Sequence, residues 1–187
     1  DRYVNFIRKH MGDRVPLKTY EKIHSSILGF EVMPSMRSLW AAGPAAEKDN
    51  TCMYNCSFQV IDDPIAFSEA LYILMCGTGY GFSVESKHIE KLPVVGTFRD
   101  GAYTKQHTIK DSRGGWTKSV KILVDSLYQG HDVEMDYTNI RPKGSRLYTM
   151  GGRSSGPEPL VQLHAFMREI FQNAQGRKLT SLECHDI

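Results

Sequence analysis

Residues 50–58 read NTCMYNCSF and place two thiols, Cys52 and Cys56, four residues apart. Such a pair could close a disulfide, hold a metal, supply a catalytic thiol or fill a core. In an extended chain four residues span ~13 Å, beyond the ~7 Å between Cα atoms that a disulfide tolerates. Asn50, Thr51 and Asn55 disfavour the helix that would bring the two closer. A zinc site needs about four ligands. Only Cys184 and His185 could join the pair, and the spacings are not those of a zinc knuckle. Adjacent residues on a helix point ~100° apart, so Glu183-Cys184-His185-Asp186 cannot form a triad among themselves. For Cys52 and Cys56, a catalytic thiol and a small buried residue both stay open.

Three further stretches could meet a phosphate. Gly77, Gly79 and Gly81 in CGTGYGFS would let backbone approach a ligand closely. They follow a helical pattern and precede a strand pattern, the reverse of a dinucleotide fingerprint. A plain helix-to-strand turn is the other reading. Gly151-Gly152-Arg153-Ser154-Ser155-Gly156-Pro157 opens a helix, whose free N–H groups and nearby arginine suit an anion; an ordinary capped start explains it as well. The segment holding Lys87, His88, Lys91, Arg99, Lys105, His107, Lys110 and Arg113 is basic. It is a solvated loop or a phosphate-contacting one, and spacing does not decide.

The elements that must carry these residues alternate. Residues 1–30 show helical spacing, and 34–50, with Pro34, Gly43 and Pro44, read as loop. Tyr54 to Ile61 reads as a strand. Asp62-Asp63-Pro64 starts a helix reaching about Met75, apolar on most faces and therefore expected to be buried. Phe82 to Val84 is a short strand and 87–113 a long polar loop. Trp116 to Leu127 is a helix, Val133 to Tyr137 a strand, and a helix follows Pro157. Lys178 to Ile187 opens another. Strands alternating with helices predict an α/β fold, barrel or open sheet. The chain has 187 residues, enough for a real core, and 23 basic against 21 acidic residues. A net charge of +2 favours neither a nucleic-acid surface nor an acidic-substrate funnel. No apolar run spans a membrane, and four cysteines are too few for a disulfide scaffold, so reduced thiols in a cytoplasm are the expectation. The start at Asp1 and the stop inside a helical pattern suggest a fragment of something larger.

Several stretches together resemble one family. They are MPSMRSLW with AGPA (33–45), YNCSFQVIDDP (54–64), ALYILMCGTGYGFSVE (70–85), DSRGGW (111–116), DYTNIRPKGSRL (136–147), GGRSSGPEPL (151–160) and GRKLTSLECHDI (176–187). In order and separation they look like the first part of the catalytic barrel of the adenosylcobalamin-dependent, class II ribonucleoside-triphosphate reductases. Segment 86–110 is shorter than in some relatives, which hints that an insertion is missing.

The resemblance implies a ten-stranded α/β barrel, with residues 1–30 as an N-terminal helical segment and 31–187 as the truncated start of the barrel. It implies replacement of a ribose 2′-OH by hydrogen through a cobalamin-generated thiyl radical. Substrate would be a ribonucleoside triphosphate, effector a deoxyribonucleoside triphosphate and reductant of thioredoxin type, with no membrane and no direct nucleic-acid partner. Asn55-Cys56 matches the family's Asn-Cys motif, so Cys56 would be one half of the redox pair, its partner beyond residue 187. Ser35, Asn55, Gly79 and Gly81 would line the substrate. Asp63, Lys87, Arg99 and Arg153 would serve the effector. Cys52, Cys76 and Cys184 receive no role, and most of the cobalamin site is expected outside this chain. The alternatives are a class I-type large subunit, whose radical comes from a separate subunit, and a nucleotide-binding regulatory module without activity of its own.

Overall fold

Apolar side chains at helical spacing and short β-prone runs must each bury a face. In the computed structural model, which describes residues 1–98, 105–148 and 151–187, they do so in two packing units.

The first unit holds Asp1–Cys56 and Cys76–Thr78. It is helical: α1 (Arg2–Met11), α2 (Leu17–Leu28), α3 (Met36–Ala41) and α4 (Pro44–Lys48), with 3-10 turns at Gly12–Arg14 and Asn50–Met53. Val4, Tyr20, Ala41, Ala42, Ala46, Cys52 and Cys76 are its buried hydrophobic residues, and Thr78 is buried with them. The Tyr20 hydroxyl donates to the Gly12 carbonyl at 2.9 Å, tying the link between α1 and α2. The loop expected over 34–50 is instead two short helices. Ser35 caps α3, its Oγ accepting from Ser38 N at 3.1 Å, and Pro44 sits in the first turn of α4, where a missing N–H costs nothing. Past the end of α2 the left-handed position falls on Phe30 (φ 58°) rather than on Gly29.

The second unit holds Ser57–Met75 and Gly79–Ile187. Its elements are β1 (Cys56–Val60, entering the unit at Ser57), α5 (Ile65–Met75), β2 (Gly79–Ser83), α6 (Ser86–Ile89), β3 (Lys105–Thr108), α7 (Arg113–Tyr128), β4 (Val133–Asp136), α8 (Glu158–Asn173) and α9 (Ser181–Asp186). β1 pairs with β2, and β3 pairs in parallel with β4 in the register Lys105↔Val133 to Thr108↔Asp136. A parallel pair needs a crossover, and α7 provides it. α7 packs on α5 and α8, burying Val120, Leu123, Val124 and Leu127 with Leu160, Met167 and Phe171.

Two expectations need correction here. The stretch 87–113 is not one loop, since α6 and β3 lie in it or at its edge. α5 is not buried on most faces: Ala66, Phe67 and Ser68 are buried, but Leu74 is 55% exposed. Close backbone approach also appears where the sequence carries only isolated glycines. Gly96 N donates to the Tyr128 carbonyl at 2.9 Å. A Cβ on Gly130 (φ 75°) would stand 2.5 Å from the Thr97 carbonyl oxygen, so the two segments touch only because side chains are absent.

Candidate functional site

The site is built on β1 and β2. Asn55 and Cys56 are exposed and lead directly into β1, whose first residue is Cys56. Next to it in β1, Ser57 Oγ donates to the Gly79 carbonyl at 3.2 Å, which holds the start of β2 beside the start of β1. Gly79 and Gly81 therefore line the strand next to the one that begins with the thiol. A Cβ at Gly81 would meet Phe58 and Ser57 at 3.7 Å, an ordinary contact, so packing within this chain does not require glycine there. An exposed thiol at a strand end is held by the backbone ladder and open to a reactant, as redox chemistry needs.

Behind this pair lies a network that sequence reading missed. The Tyr80 hydroxyl donates to Gln59 Oε1 at 2.8 Å, and Gln59 Nε2 in turn donates to the Glu69 carboxylate. Burial, and then the Glu69 charge, raise the Tyr80 phenol above its usual range. Tyr80 and Phe82 stack at 5.8 Å between centroids. Nothing in the sequence signals the link, because its three members belong to three elements.

In the first unit, Thr78 Oγ1 lies 3.1 Å from the Thr51 carbonyl and 3.0 Å from that of Tyr54, and Arg37 donates to the Gly77 carbonyl. Cys76 Sγ lies 3.5 Å from Asp49 Oδ2. Cys52 and Cys76 are fully buried, consistent with packing roles. Cys184 is buried on α9, and burial followed by the Glu183 charge pushes its thiol up to about 12. A thiol held protonated in this way is inert.

The effector candidates are dispersed. Asp63 Oδ1 accepts from Ile65 N at 2.9 Å and so caps α5. Lys87 sits on α6 and pairs with Glu85 at 3.1 Å. Arg99 lies outside the described residues. Arg153 lies in the connection from β4 to α8, which folds back as a small hairpin. Ser154 N donates to the Ser145 carbonyl at 2.8 Å and Leu147 N to the Gly152 carbonyl at 3.0 Å. Arg153 Nη1 donates to the Gly144 carbonyl at 2.9 Å. Gly151 and Gly152 both take positive φ, 76° and 86°, which explains the glycine pair.

That connection starts from a buried anchor. Tyr137 OH lies 2.8 Å from His164 Nδ1 on α8, and Ser119 Oγ on α7 lies 3.2 Å from His164 Nε2. Ser119 already spends its one proton on the Trp116 carbonyl at 2.7 Å. It must therefore accept from Nε2–H, leaving Nδ1 to accept from Tyr137. Burial, with Arg168 and His107 acting in the same direction, pushes His164 down to about 4. Among the described residues no group of three or more His, Cys, Asp or Glu side chains is placed to hold a metal ion. No helix there is long and apolar enough to cross a membrane.

Comparison with known proteins bears directly on this arrangement. Residues 82–171 match the family model described as the B12-dependent ribonucleotide reductase insertion domain. The adenosylcobalamin-dependent ribonucleoside-triphosphate reductase of Euglena gracilis is 31% identical over 186 residues, covering 95% of this chain and 25% of that protein. Over most of its length the chain is similar to B12-dependent ribonucleotide reductases. The reductase of the same name from Levilactobacillus brevis is 26% identical over 219 residues, covering 86% of this chain and 29% of that protein. A solved B12-dependent, class II ribonucleotide reductase shares the fold, with a TM-score of 0.85 at 24% identity over the whole chain and 35% of its own length.

The chain thus spans between a quarter and a third of these curated reductases. The family-model match over 82–171 spans the segment expected to be short. The Levilactobacillus alignment is longer than the chain's own 187 residues, so that reductase carries residues in this region with no counterpart here.

Proposed function

We propose that this chain is the first part of the catalytic barrel of an adenosylcobalamin-dependent ribonucleoside-triphosphate reductase, residues 31–187 contributing to a ten-stranded barrel. The reading rests on one observation above the rest: an exposed thiol, Cys56, at the first residue of β1, beside β2, in a chain 31% identical to a reductase of that name.

In this reading Cys56 and a cysteine outside the chain form a dithiol. It gives up two electrons and two protons and becomes a disulfide; the ribose 2′-OH leaves as water and hydrogen takes its place. A thioredoxin-type protein then reduces the disulfide. Ser35, Asn55, Gly79 and Gly81 border the substrate, and Asp63, Lys87, Arg99 and Arg153 serve a deoxyribonucleoside triphosphate effector. Ser35 and Asp63 also cap helices, so each would combine a structural with a binding role. The effector acts by favouring one loop arrangement, a coupling on the order of 1–3 kcal/mol.

Adenosylcobalamin supplies the radical when bound. The cleft bordered by Arg2, Val4, His24, Ile27 and Leu39 has a volume of about 200 Å³. This is below the ~300–1,000 Å³ of ordinary ligand pockets and does not fit a corrin. Following the resemblance, most of the cofactor's site is assigned outside residues 1–187.

The test is Cys56→Ser in the full-length protein. Loss of multiple turnover with thioredoxin as reductant is expected, with Cys52→Ser retaining turnover. The opposite pattern would reverse the assignment, and turnover without added adenosylcobalamin would refute the class II reading.

A further inference from the structure

The hairpin between β4 and α8 contains an unusual pairing. Arg146 and Arg153 face each other across an antiparallel bridge. The flanking hydrogen bonds join Ser154 to Ser145 and Leu147 to Gly152, so the two arginines occupy the non-hydrogen-bonded position between them. At such a position Cα atoms come within ~4.5 Å and side chains are at their closest. Like charges directly opposite destabilise the pair. Among the described residues no carboxylate pairs with either guanidinium. Arg153 uses one N–H, on the Gly144 carbonyl, and the Arg146 guanidinium makes no hydrogen bond to any described residue. It lies over the Tyr148 ring, 5.8 Å from its centroid, which orients it while leaving its donors open. Both arginines are exposed.

The two side chains leave the same face of the bridge, one reaching the Gly144 carbonyl and the other the Tyr148 ring, and both keep open donors. Such a pair of planar cations suits one ligand chemistry, an oligophosphate, whose oxygens accept forked pairs of N–H bonds. We infer that Arg146 and Arg153 form a two-pronged clamp for the phosphate chain of a nucleotide. This rests on the reading that the hairpin serves a nucleotide effector. It adds Arg146 as the second cation and assigns the pair to the phosphates, not to the base.

The experiment is calorimetric binding of inorganic tripolyphosphate, and in parallel of a deoxyribonucleoside triphosphate, to the full-length protein. Arg146→Gln, Arg153→Gln and the double variant are compared with wild type. Each single change is expected to weaken both ligands about tenfold, and the double change to weaken them by less than the product, because the residues share one anion. Arg146→Lys, which keeps the charge, restores part of the loss. Hydrogen exchange at Leu147 and Ser154 reports whether the hairpin itself persists.

A wild-type protein that does not bind tripolyphosphate overturns the clamp, as do single variants within twofold of wild type or strictly multiplicative effects. Loss of nucleotide binding with tripolyphosphate binding intact also overturns it, moving the arginines to the base. If a glutamine variant melts the hairpin, Arg146→Lys decides instead, and no recovery there counts against the clamp. Ribonucleotide reduction is measured in the same preparations without effector. Its absence refutes the reductase reading, while the tripolyphosphate result still stands or falls by itself.

Discussion

His164 is fully buried between α7 and the start of the β4–α8 connection, and it folds neutral. An ordinary histidine titrates near 6.5, whereas burial pushes His164 down to about 4. Between those values the opened chain binds a proton that the native state refuses, so stability falls as the pH drops from 6.5 towards 4 and levels off below. The penalty is about 1.4 kcal/mol at pH 5.5 and about 2 kcal/mol at pH 5, approaching about 3 kcal/mol at pH 4. His164→Leu removes this dependence. At neutral pH it also removes the partner of the half-buried Tyr137 hydroxyl and leaves a small cavity, a cost of ~2–3 kcal/mol. The two stabilities should therefore converge between about pH 5 and about pH 4.

The assay is hydrogen exchange with mass spectrometry on the full-length protein, following peptides from α7 and α8 and correcting for intrinsic exchange. Wild-type protection should drop about tenfold from pH 7.5 to 5.5 and about thirtyfold by pH 5. The leucine variant should start lower and stay flat over the same range. A variant that tracks the wild-type slope would refute the argument and assign the pH dependence to other groups.

Other expectations follow from single contacts. Phe30 holds a left-handed conformation at the end of α2 while 83% exposed, so Phe30→Gly should stabilise that end by ~1 kcal/mol, read as slower exchange in the last turn. Gly130→Ala adds a Cβ 2.5 Å from the Thr97 carbonyl at φ 75° and should cost ~1–3 kcal/mol or more, lowering the thermal midpoint. The Arg177 guanidinium, helped by Thr180, holds the Glu183 carboxyl down to about 2. Because this pKa is lowered, its contribution is complete above about 4.5 and fades as pH falls towards 2. Glu183→Gln should therefore cost on the order of 2 kcal/mol at pH 7 and progressively less in acid, measured as protection of α9.

Much of this architecture was legible in sequence because it depends on neighbours. The start of α5 at Asp62-Asp63-Pro64, the helix after Ser155-Gly156-Pro157 and the apolar spacing of Val120, Leu123 and Leu127 are local signals, and each element formed where its signal lies. The strand at Cys56 also follows from local pattern, whereas the exposure of its thiol came only with the fold. The short helices α3 and α4 were missed because proline and glycine beside them read as breakers, whereas here Pro44 opens a helix and Gly43 (φ 120°) precedes it.

What tertiary structure alone decided are the relations between residues far apart in the chain. Ser119, Tyr137 and His164 carry no recognisable spacing, yet α7, α8 and the residue after β4 deliver them to one point around the buried His164. Gln59, Glu69 and Tyr80 meet in the same way behind β1 and β2. Arg153 stood out in sequence as the charge of a glycine-rich loop. Arg146 did not, because only the fold-back of the hairpin sets one arginine opposite the other. Sequence determined where the chain turns and which faces are apolar, because those are set by φ, ψ and periodicity within a few residues. Which polar groups share a site was left to packing, because burial forces each donor to find an acceptor wherever the fold has brought one within reach.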